Sequence, residues 1–249
     1  MIRVAVSGAG GKLAGPIIDG IQAADDLELT TLYNPNRAGR EMAGTIISGD
    51  LRGVNADVIV ETAHPDVVFD NLRAWHEAGV AAVVGTSGFT TARLEQLEEM
   101  WGSDRPCLVV PNFSIGATLM MRFAAESAEH FEAIEVIERH HSDKPDAPSG
   151  TALATAMGIS ENGGGSSEIS QEIVPGSRGG DVSGVRVHSL RLPGVISHQE
   201  VAMSNTGEIF SIEHQSTSYE SFAGGALLAI RRVQSLEGGV HLGLDKVLR

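Results

Sequence analysis

The chain has 249 residues, 42% hydrophobic and 20% charged, with 30 glycines and a net charge of −14 from 18 basic and 32 acidic residues. This composition excludes extensive disorder, and the acidic balance argues against non-specific nucleic-acid binding, which needs a basic surface, while leaving room for an anionic small ligand held by a few local cations. No apolar run approaches the ~20 residues of a membrane span, the N-terminus has no signal-peptide layout, and the single Cys107 allows neither an internal disulfide nor a Cys-based zinc site, a combination that favours the cytoplasm.

Ile2–Ser7 is short, apolar and β-branched, which predicts a buried strand. The turn Gly8-Ala9-Gly10-Gly11-Lys12-Leu13-Ala14-Gly15 follows at once. An amphipathic stretch from about Lys12 to Ala24 predicts a helix whose first turn Pro16 loosens. Leu27–Tyr33 alternates as a second strand and completes a βαβ unit. The rhythm continues with a strand at Ala56–Glu61, a helix opened by Pro65 and Asp66 and closed at Gly79, and a strand at Val80–Val84. A Gly85-Thr86-Ser87-Gly88 turn, a charged helix at Thr91–Trp101 and a strand at Cys107–Val110 come next. Strands joined by helices in this order predict an α/β domain with a parallel, doubly wound sheet.

After Pro111 the rhythm breaks. Ile115–Phe131 reads as one long helix and Ile134–Glu138 as a strand. A glycine- and serine-rich loop at Ile159–Ser167 precedes strands at Val185–Leu192, Gly194–Met203 and Glu208–His214, whose short connections predict an antiparallel or mixed sheet. Phe222–Ser235 reads as a final helix. The expected division is a first domain of residues 1–111 and 219–249 and a second of residues 112–218.

Two segments carry chemistry. Gly8, Gly11 and Ala14 fit Gly-x-x-Gly-x-x-Gly/Ala between a strand and a helix. Such a turn aims backbone N–H groups at a pyrophosphate, so Gly8 to Leu13 are candidate dinucleotide ligands, with Lys12 able to add a charge. The second strand ends in Tyr33-Asn34-Pro35-Asn36-Arg37, without the acid that usually holds a ribose 2′-OH. Asn34 can still bond a ribose, and Arg37 either pairs with a 2′-phosphate, tilting the choice towards NADP, or belongs to a solvated turn. The other segment, Glu138 to Ala152, gathers His140, His141, Lys144 and a Ser149-Gly150-Thr151 turn at a helix start. Imidazole moves protons near neutral pH, an ammonium neutralises a carboxylate or donates a proton, and Ser149, Gly150 and Thr151 offer a hydroxyl and N–H groups to an anion. The alternative is a polar loop with Ser149 as an N-cap. Adjacent histidines seldom converge on one ion, so no metal is expected. His64, His188, His198, His214 and Arg191 read individually as structural, and Cys107 as buried and inert.

Taken together these residues resemble the 4-hydroxy-tetrahydrodipicolinate reductase (dihydrodipicolinate reductase) family. The most specific match is Glu138-x-His140-His141-x-x-Lys144-x-Asp146-Ala147-Pro148-Ser149-Gly150-Thr151-Ala152. Gly8-Ala9-Gly10-Gly11-Lys12, Val84-Gly85-Thr86-Ser87-Gly88-Phe89, Pro111-Asn112-Phe113-Ser114, Gly176-Ser177-Arg178-Gly179, Val187-His188-Ser189-Leu190-Arg191 and Phe222-Ala223-x-Gly225-Ala226 support it in order along nearly the whole chain.

The resemblance implies a Rossmann-type dinucleotide-binding domain and an α+β substrate-binding and oligomerisation domain with an open mixed sheet. It implies NADPH- or NADH-dependent reduction of a cyclic dicarboxylate on the diaminopimelate route to lysine, by a homotetramer assembled through the second-domain sheet. By position it makes His140 and Lys144 the acid/base pair, and gives His141 and the Gly150-Thr151 backbone a substrate carboxylate. It also places Gly85-Thr86-Ser87 and Val110-Pro111-Asn112-Phe113 beside the nicotinamide. The chain departs from the family pattern in lacking the acid after the second strand. It also has Glu61-Thr62-Ala63 for Asp-Phe-Thr, Ser87 for Thr, and Tyr219 for Arg. Another reductase of a small anionic substrate on the same architecture, or a non-catalytic dinucleotide sensor, are the competing readings. The His140–Thr151 cluster is superfluous to the sensor.

Overall fold

The computed structural model describes residues 1–167 and 171–248. In chain order its elements are β1 (Ile2–Ser7), α1 (Ala14–Gln22), β2 (Leu27–Tyr33), β3 (Glu41–Met42), β4 (Thr45–Ser48), β5 (Val58–Glu61), α2 (Val68–Glu77), β6 (Ala81–Val84), α3 (Thr91–Trp101) and β7 (Pro106–Val109). There follow α4 (Ile115–Ser127), β8 (Ala133–His140), α5 (Gly150–Glu161), β9 (Gly180–Val182), β10 (Val185–Arg191), β11 (Ser197–Asn205), β12 (Glu208–Ser216), α6 (Ser221–Arg232) and β13 (Gly239–Leu242). Met1–Ile115 and the residues from Tyr219 onward form one compact unit, and Gly116–Ser218 forms another.

In the first unit the strands lie in the order β13-β7-β6-β5-β1-β2-β4-β3, parallel apart from the β3–β4 edge pair. Both faces of the sheet are covered, as β-branched central strands require. On one face Val4, Val6, Val58, Val60 and Val83 pack with Ile17, Ile18 and Ile21 of α1 and Ala226 and Ile230 of α6. On the other, Ala5, Ile59 and Val84 pack with Leu72 and Trp75 of α2 and Leu97 and Trp101 of α3. Strand order reverses between β1 and β5, so the crevice beyond their C-terminal ends is the topological switch point where such sheets bind ligands.

The second unit has the strand order β12-β11-β8-β10-β9, with β8 and β10 parallel and the remaining pairs antiparallel, a mixed sheet. Ala152, Ala156 and Ile159 of α5 cover one face through Ile134, Val136, Val185, Val187, Val201 and Met203. Strand alternation places Glu135, Ile137 and Arg139 on the opposite face, where Glu135 pairs with Arg178 and His188.

Several boundaries differ from the expectation. α1 starts at Ala14 rather than Lys12, because Gly8 and Gly10 hold positive φ and the turn uses the residues up to Leu13. Pro16 does not loosen it: in a first turn its missing N–H has no partner to lose. The helix expected from Pro65 starts at Val68, and the loop expected from Ile159 starts only after Glu161, since α5 continues to that residue. The strand expected to end at Glu138 runs on to His140, which puts that imidazole on the sheet. β11 begins at Ser197, not Gly194.

Glu61 closes β5 with its side chain fully buried. Ser7 Oγ donates to Oε1 at 3.0 Å, the Ala63 N–H to Oε1 at 2.8 Å and Trp75 Nε1 to Oε2 at 2.9 Å. Burial raises its pKa above the ordinary carboxylate value, and these donors only partly oppose the rise. A raised folded pKa makes the group's contribution to stability largest at acid pH and loses it as pH climbs through that value. In Glu61→Gln the amide N–H₂ must face at least one of these donors, a cost of about 1–3 kcal/mol. Denaturant unfolding of both proteins should show this gap widest at acid pH and narrowing towards neutrality. A gap that widens with pH would mean that the donors, not burial, set the state of Glu61.

Candidate functional site

The glycine turn leaves β1 at the switch point. Gly8 and Gly10 have φ of 81° and 86°, a region that costs other residues strain. A Cβ on Gly8 would sit 2.7 Å from Thr62 Oγ1 and 2.8 Å from the Thr62 carbonyl carbon, so the close backbone approach itself demands glycine. The N–H groups of Gly8 and Ala9 donate to Tyr33 O at 2.9 and 3.2 Å, and Gly11 N–H donates to Gly8 O at 3.0 Å. Lys12 is exposed beside the α1 N-terminus and Leu13 lies half-buried there. Ala14 is fully buried, a small residue where the helix meets the sheet.

Asn34 is tied into this turn: Nδ2 donates to Ala9 O at 2.8 Å, and Oδ1 accepts from Asn36 N–H at 3.0 Å. The Arg37 side chain lies over the turn, so that a Cβ on Gly10 would come within 2.7 Å of its Nη1. On the other side of β1, Thr86 Oγ1 donates to Ala63 O at 2.8 Å. Gly85 N–H donates to Glu61 O at 2.9 Å, and a Cβ on Gly85 would run into the Phe113 ring. Ser87 is exposed next to these residues. Val110 N–H donates to Val84 O at 2.8 Å, and beyond Pro111 the Asn112 Oδ1 accepts from Ser114 N–H at 2.8 Å. Gly8–Leu13, Asn34, Arg37, Gly85–Ser87 and Val110–Phe113 thus gather at the C-terminal ends of β1, β2, β6 and β7. Turn, helix N-terminus and guanidinium fit a pyrophosphate-containing dinucleotide.

In the second unit, Glu138 is the centre of the cluster and is fully buried. Arg191 grips it in fork geometry, Nη2 to Oε1 and Nη1 to Oε2, each at 3.0 Å. His140 Nδ1 hydrogen-bonds Oε2, and the Ser149 N–H donates to Oε1 at 3.3 Å. Burial pushes the Glu138 carboxyl up, but the hydrogen bonds from Arg191, Ser189 and His140 together outweigh it and hold the pKa below the ordinary value. His140 is lowered, first by burial and then by the charges of Lys144 and Arg191, against the raising effect of Glu138. Lys144 Nζ donates to both oxygens of Asp146, at 2.8 and 2.9 Å, and this contact holds the Asp146 carboxyl low.

α5 starts in the same place. The Ser149 side chain accepts from Ala152 N–H at 3.2 Å as the N-cap, and the hydroxyl keeps its own hydrogen to donate. Space is open around Gly150, where a Cβ would meet nothing within 4 Å. His141 follows β8 half-buried, and Lys144 N–H closes a turn onto its carbonyl at 3.2 Å. The structure therefore brings together His140, His141, Lys144, Ser149, Gly150 and Thr151. Among the described residues no group of three or more His, Cys, Asp or Glu side chains is arranged for a metal ion, and no helix is long and apolar enough to cross a membrane.

Arg191, read from sequence as an isolated structural cation, belongs to this cluster. Its partner lies 53 residues away, so local sequence carries no sign of it. The available signal was Glu138 itself, an acid on the core-facing side of Ile134-x-Val136-x-Glu138 that must find a buried cation.

The family profile described as dihydrodipicolinate reductase, N-terminus, matches residues 2–113, and the one described as dihydrodipicolinate reductase, C-terminus, matches residues 116–248. The chain belongs to the dihydrodipicolinate reductase family. The 4-hydroxy-tetrahydrodipicolinate reductase of Mycolicibacterium gilvum is 43% identical, covering 99% of each chain. That of Thermobifida fusca is 44% identical over 100% of this chain and 99% of its own. A dipicolinate-bound dihydrodipicolinate reductase from Paenisporosarcina sp. TG-14 superposes with a TM-score of 0.86 at 31% identity, covering 99% of both chains. Two of the departures from the family pattern have physical settings. Glu61 reaches Trp75, and Tyr219 packs its ring 6.2 Å from that of Phe222.

Proposed function

We propose that this chain reduces the dehydrated form of 4-hydroxy-tetrahydrodipicolinate to tetrahydrodipicolinate with NADPH or NADH, in the diaminopimelate route to lysine. The observation that carries this reading is the concentration of Arg191, Lys144, His140 and His141 beside the open N-terminus of α5, in a protein of net charge −14. A cyclic dicarboxylate needs such a local reversal of charge. The nicotinamide, when bound, supplies the hydride.

The protein's own residues have the remaining tasks. Ser149, Gly150 and Thr151 at the helix N-terminus, with His141, take a substrate carboxylate. Reduction of a ring double bond also needs a proton. Lys144 Nζ is its donor and His140 its acid/base partner, with Asp146 restraining the ammonium until substrate arrives. In the other unit Gly8, Ala9, Gly10, Gly11, Lys12 and Leu13 take the pyrophosphate. Asn34 hydrogen-bonds the ribose, and Arg37 meets a 2′-phosphate. Gly85, Thr86 and Ser87, with Val110, Pro111, Asn112 and Phe113, line the nicotinamide side. The reading includes a homotetramer built on the sheet face carrying Glu135, Ile137 and Arg139, and a cytoplasmic location, where reduced nicotinamides are supplied.

Lys144→Ala should lower kcat by roughly 10²–10⁴ while leaving the cofactor dissociation constant unchanged. Steady-state rates with enzymatically generated substrate, paired with cofactor fluorescence titration, check this, and an unchanged kcat removes Lys144 from the chemistry.

Arg37 lies over the glycine turn with no acid beside it on Asn34-Pro35-Asn36, so NADPH should serve at least as well as NADH. Arg37→Ala should weaken NADPH binding more than NADH binding, by about 1–3 kcal/mol. Equal weakening of the two would show that Arg37 does not read the phosphate.

A further inference from the structure

We infer that Glu138, clamped by Arg191, is a positioning residue that fixes His140 as the Nδ1–H tautomer and reserves Nε2 for the substrate. This rests on the role given to His140 above. The Glu138 carboxylate is fully buried and is surrounded by donors: both terminal nitrogens of Arg191, the Ser149 N–H and Ser189. An ionised carboxylate only accepts hydrogen bonds, so the His140 nitrogen facing Oε2 must carry a hydrogen. That leaves Nε2 as the nitrogen able to take up or release a proton. The arrangement has the logic of a nucleophile-activating triad, in which a buried acid holds an imidazole in one tautomer, extended by a guanidinium that keeps the acid ionised.

Arg191 also ties this unit to the loop that follows β8. Its Nη2 also donates to Asp146 O at 2.5 Å and its Nη1 to Leu190 O at 2.7 Å. One guanidinium therefore holds both the carboxylate under His140 and the loop carrying Lys144. The charged groups facing His140 are Glu138 on its own strand, Arg191 on β10, and Lys144 with its partner Asp146 on the following loop. Across the sheet, β11 presents uncharged Ser197 opposite His140 and Gln199 opposite Glu138, and α5 presents uncharged Ser149. Among the described residues Glu138 is thus the one anion in contact with the imidazole, and it favours the charged ring against three effects that oppose it.

Nitrogen-15 NMR of His140 in the ligand-free protein tests the inference directly. Neutral His140 in the wild type should carry its hydrogen on Nδ1; a neutral His140 protonated on Nε2 overturns the proposal without recourse to any variant. In Glu138→Gln the amide N–H₂ turns towards Nδ1, the tautomer should switch to Nε2–H, and the ring should titrate at lower pH. The kcat profile should lose at least about tenfold at neutral pH, with the limb belonging to His140 moved to lower pH and the cofactor KM unchanged. Glu138→Asp should keep the Nδ1–H tautomer. A Glu138→Gln protein that retains the wild-type tautomer and titration overturns the proposal. The tautomer is read without substrate, so its failure is distinct from failure of the reaction itself, which would appear as absent turnover in the wild type.

Discussion

A carboxylate buried in a protein interior must be met by donors, and this requirement organises both units. Leaving such a charge unpaired costs several kcal/mol, of the order of ~3–5 when one partner is removed. Among the described residues each unit has one fully buried glutamate at or near the end of a central strand: Glu61 on β5 and Glu138 on β8. Neither finds its donors on its own strand alone. Glu61 draws in Ser7 before the glycine turn, Ala63 in the following loop and Trp75 of α2. Glu138 draws in Arg191 of β10, Ser149 at the head of α5 and His140. The loops that bear the chemistry are therefore set by groups beneath them. Precise placement of reacting groups depends on that kind of support.

The two carboxylates meet the same requirement with different donors, and the consequences differ. Glu61 has only neutral donors, and burial prevails. Glu138 has a guanidinium in fork geometry, and its pKa falls below the ordinary value. A neutral hydrogen-bond network can hold a loop, whereas a permanent anion can orient and charge an imidazole. The first suits the turn proposed to meet a cofactor, and the second suits the site where a proton is proposed to move.

Much of this was legible in the sequence because it is local. The β1–turn–α1 unit shows in Ile2–Ala24 as a β-branched run, glycines and an amphipathic stretch, and the His140–Thr151 motif lies within fifteen residues of chain. What could not be read is what depends on distant partners. β3, β9 and β13 span two to four residues, too short for any periodicity, and exist because β4, β10 and β7 offer them an edge. Arg191 looks like any strand cation until β10 pairs in parallel with β8 and sets it opposite His140. Asn34 reads as a ribose ligand, and its contacts with Ala9 O and Asn36 N–H, which tie it into the turn, are visible only in the fold. The departures from the family pattern fall on the same divide: their residues are plain in the sequence, while the contacts of Glu61 with Trp75 and Tyr219 with Phe222 are not.

The central claim is that a cation cluster built around one buried glutamate serves reduction of a cyclic dicarboxylate. The direct measurement is oxidation of reduced nicotinamide by the purified wild-type protein, followed optically while the substrate is generated enzymatically in the same cuvette, with the product identified by mass spectrometry. Cofactor oxidation should begin only when substrate forms, match it mole for mole, and yield tetrahydrodipicolinate. Tight binding of NADPH or NADH with no oxidation of either as substrate accumulates would contradict it.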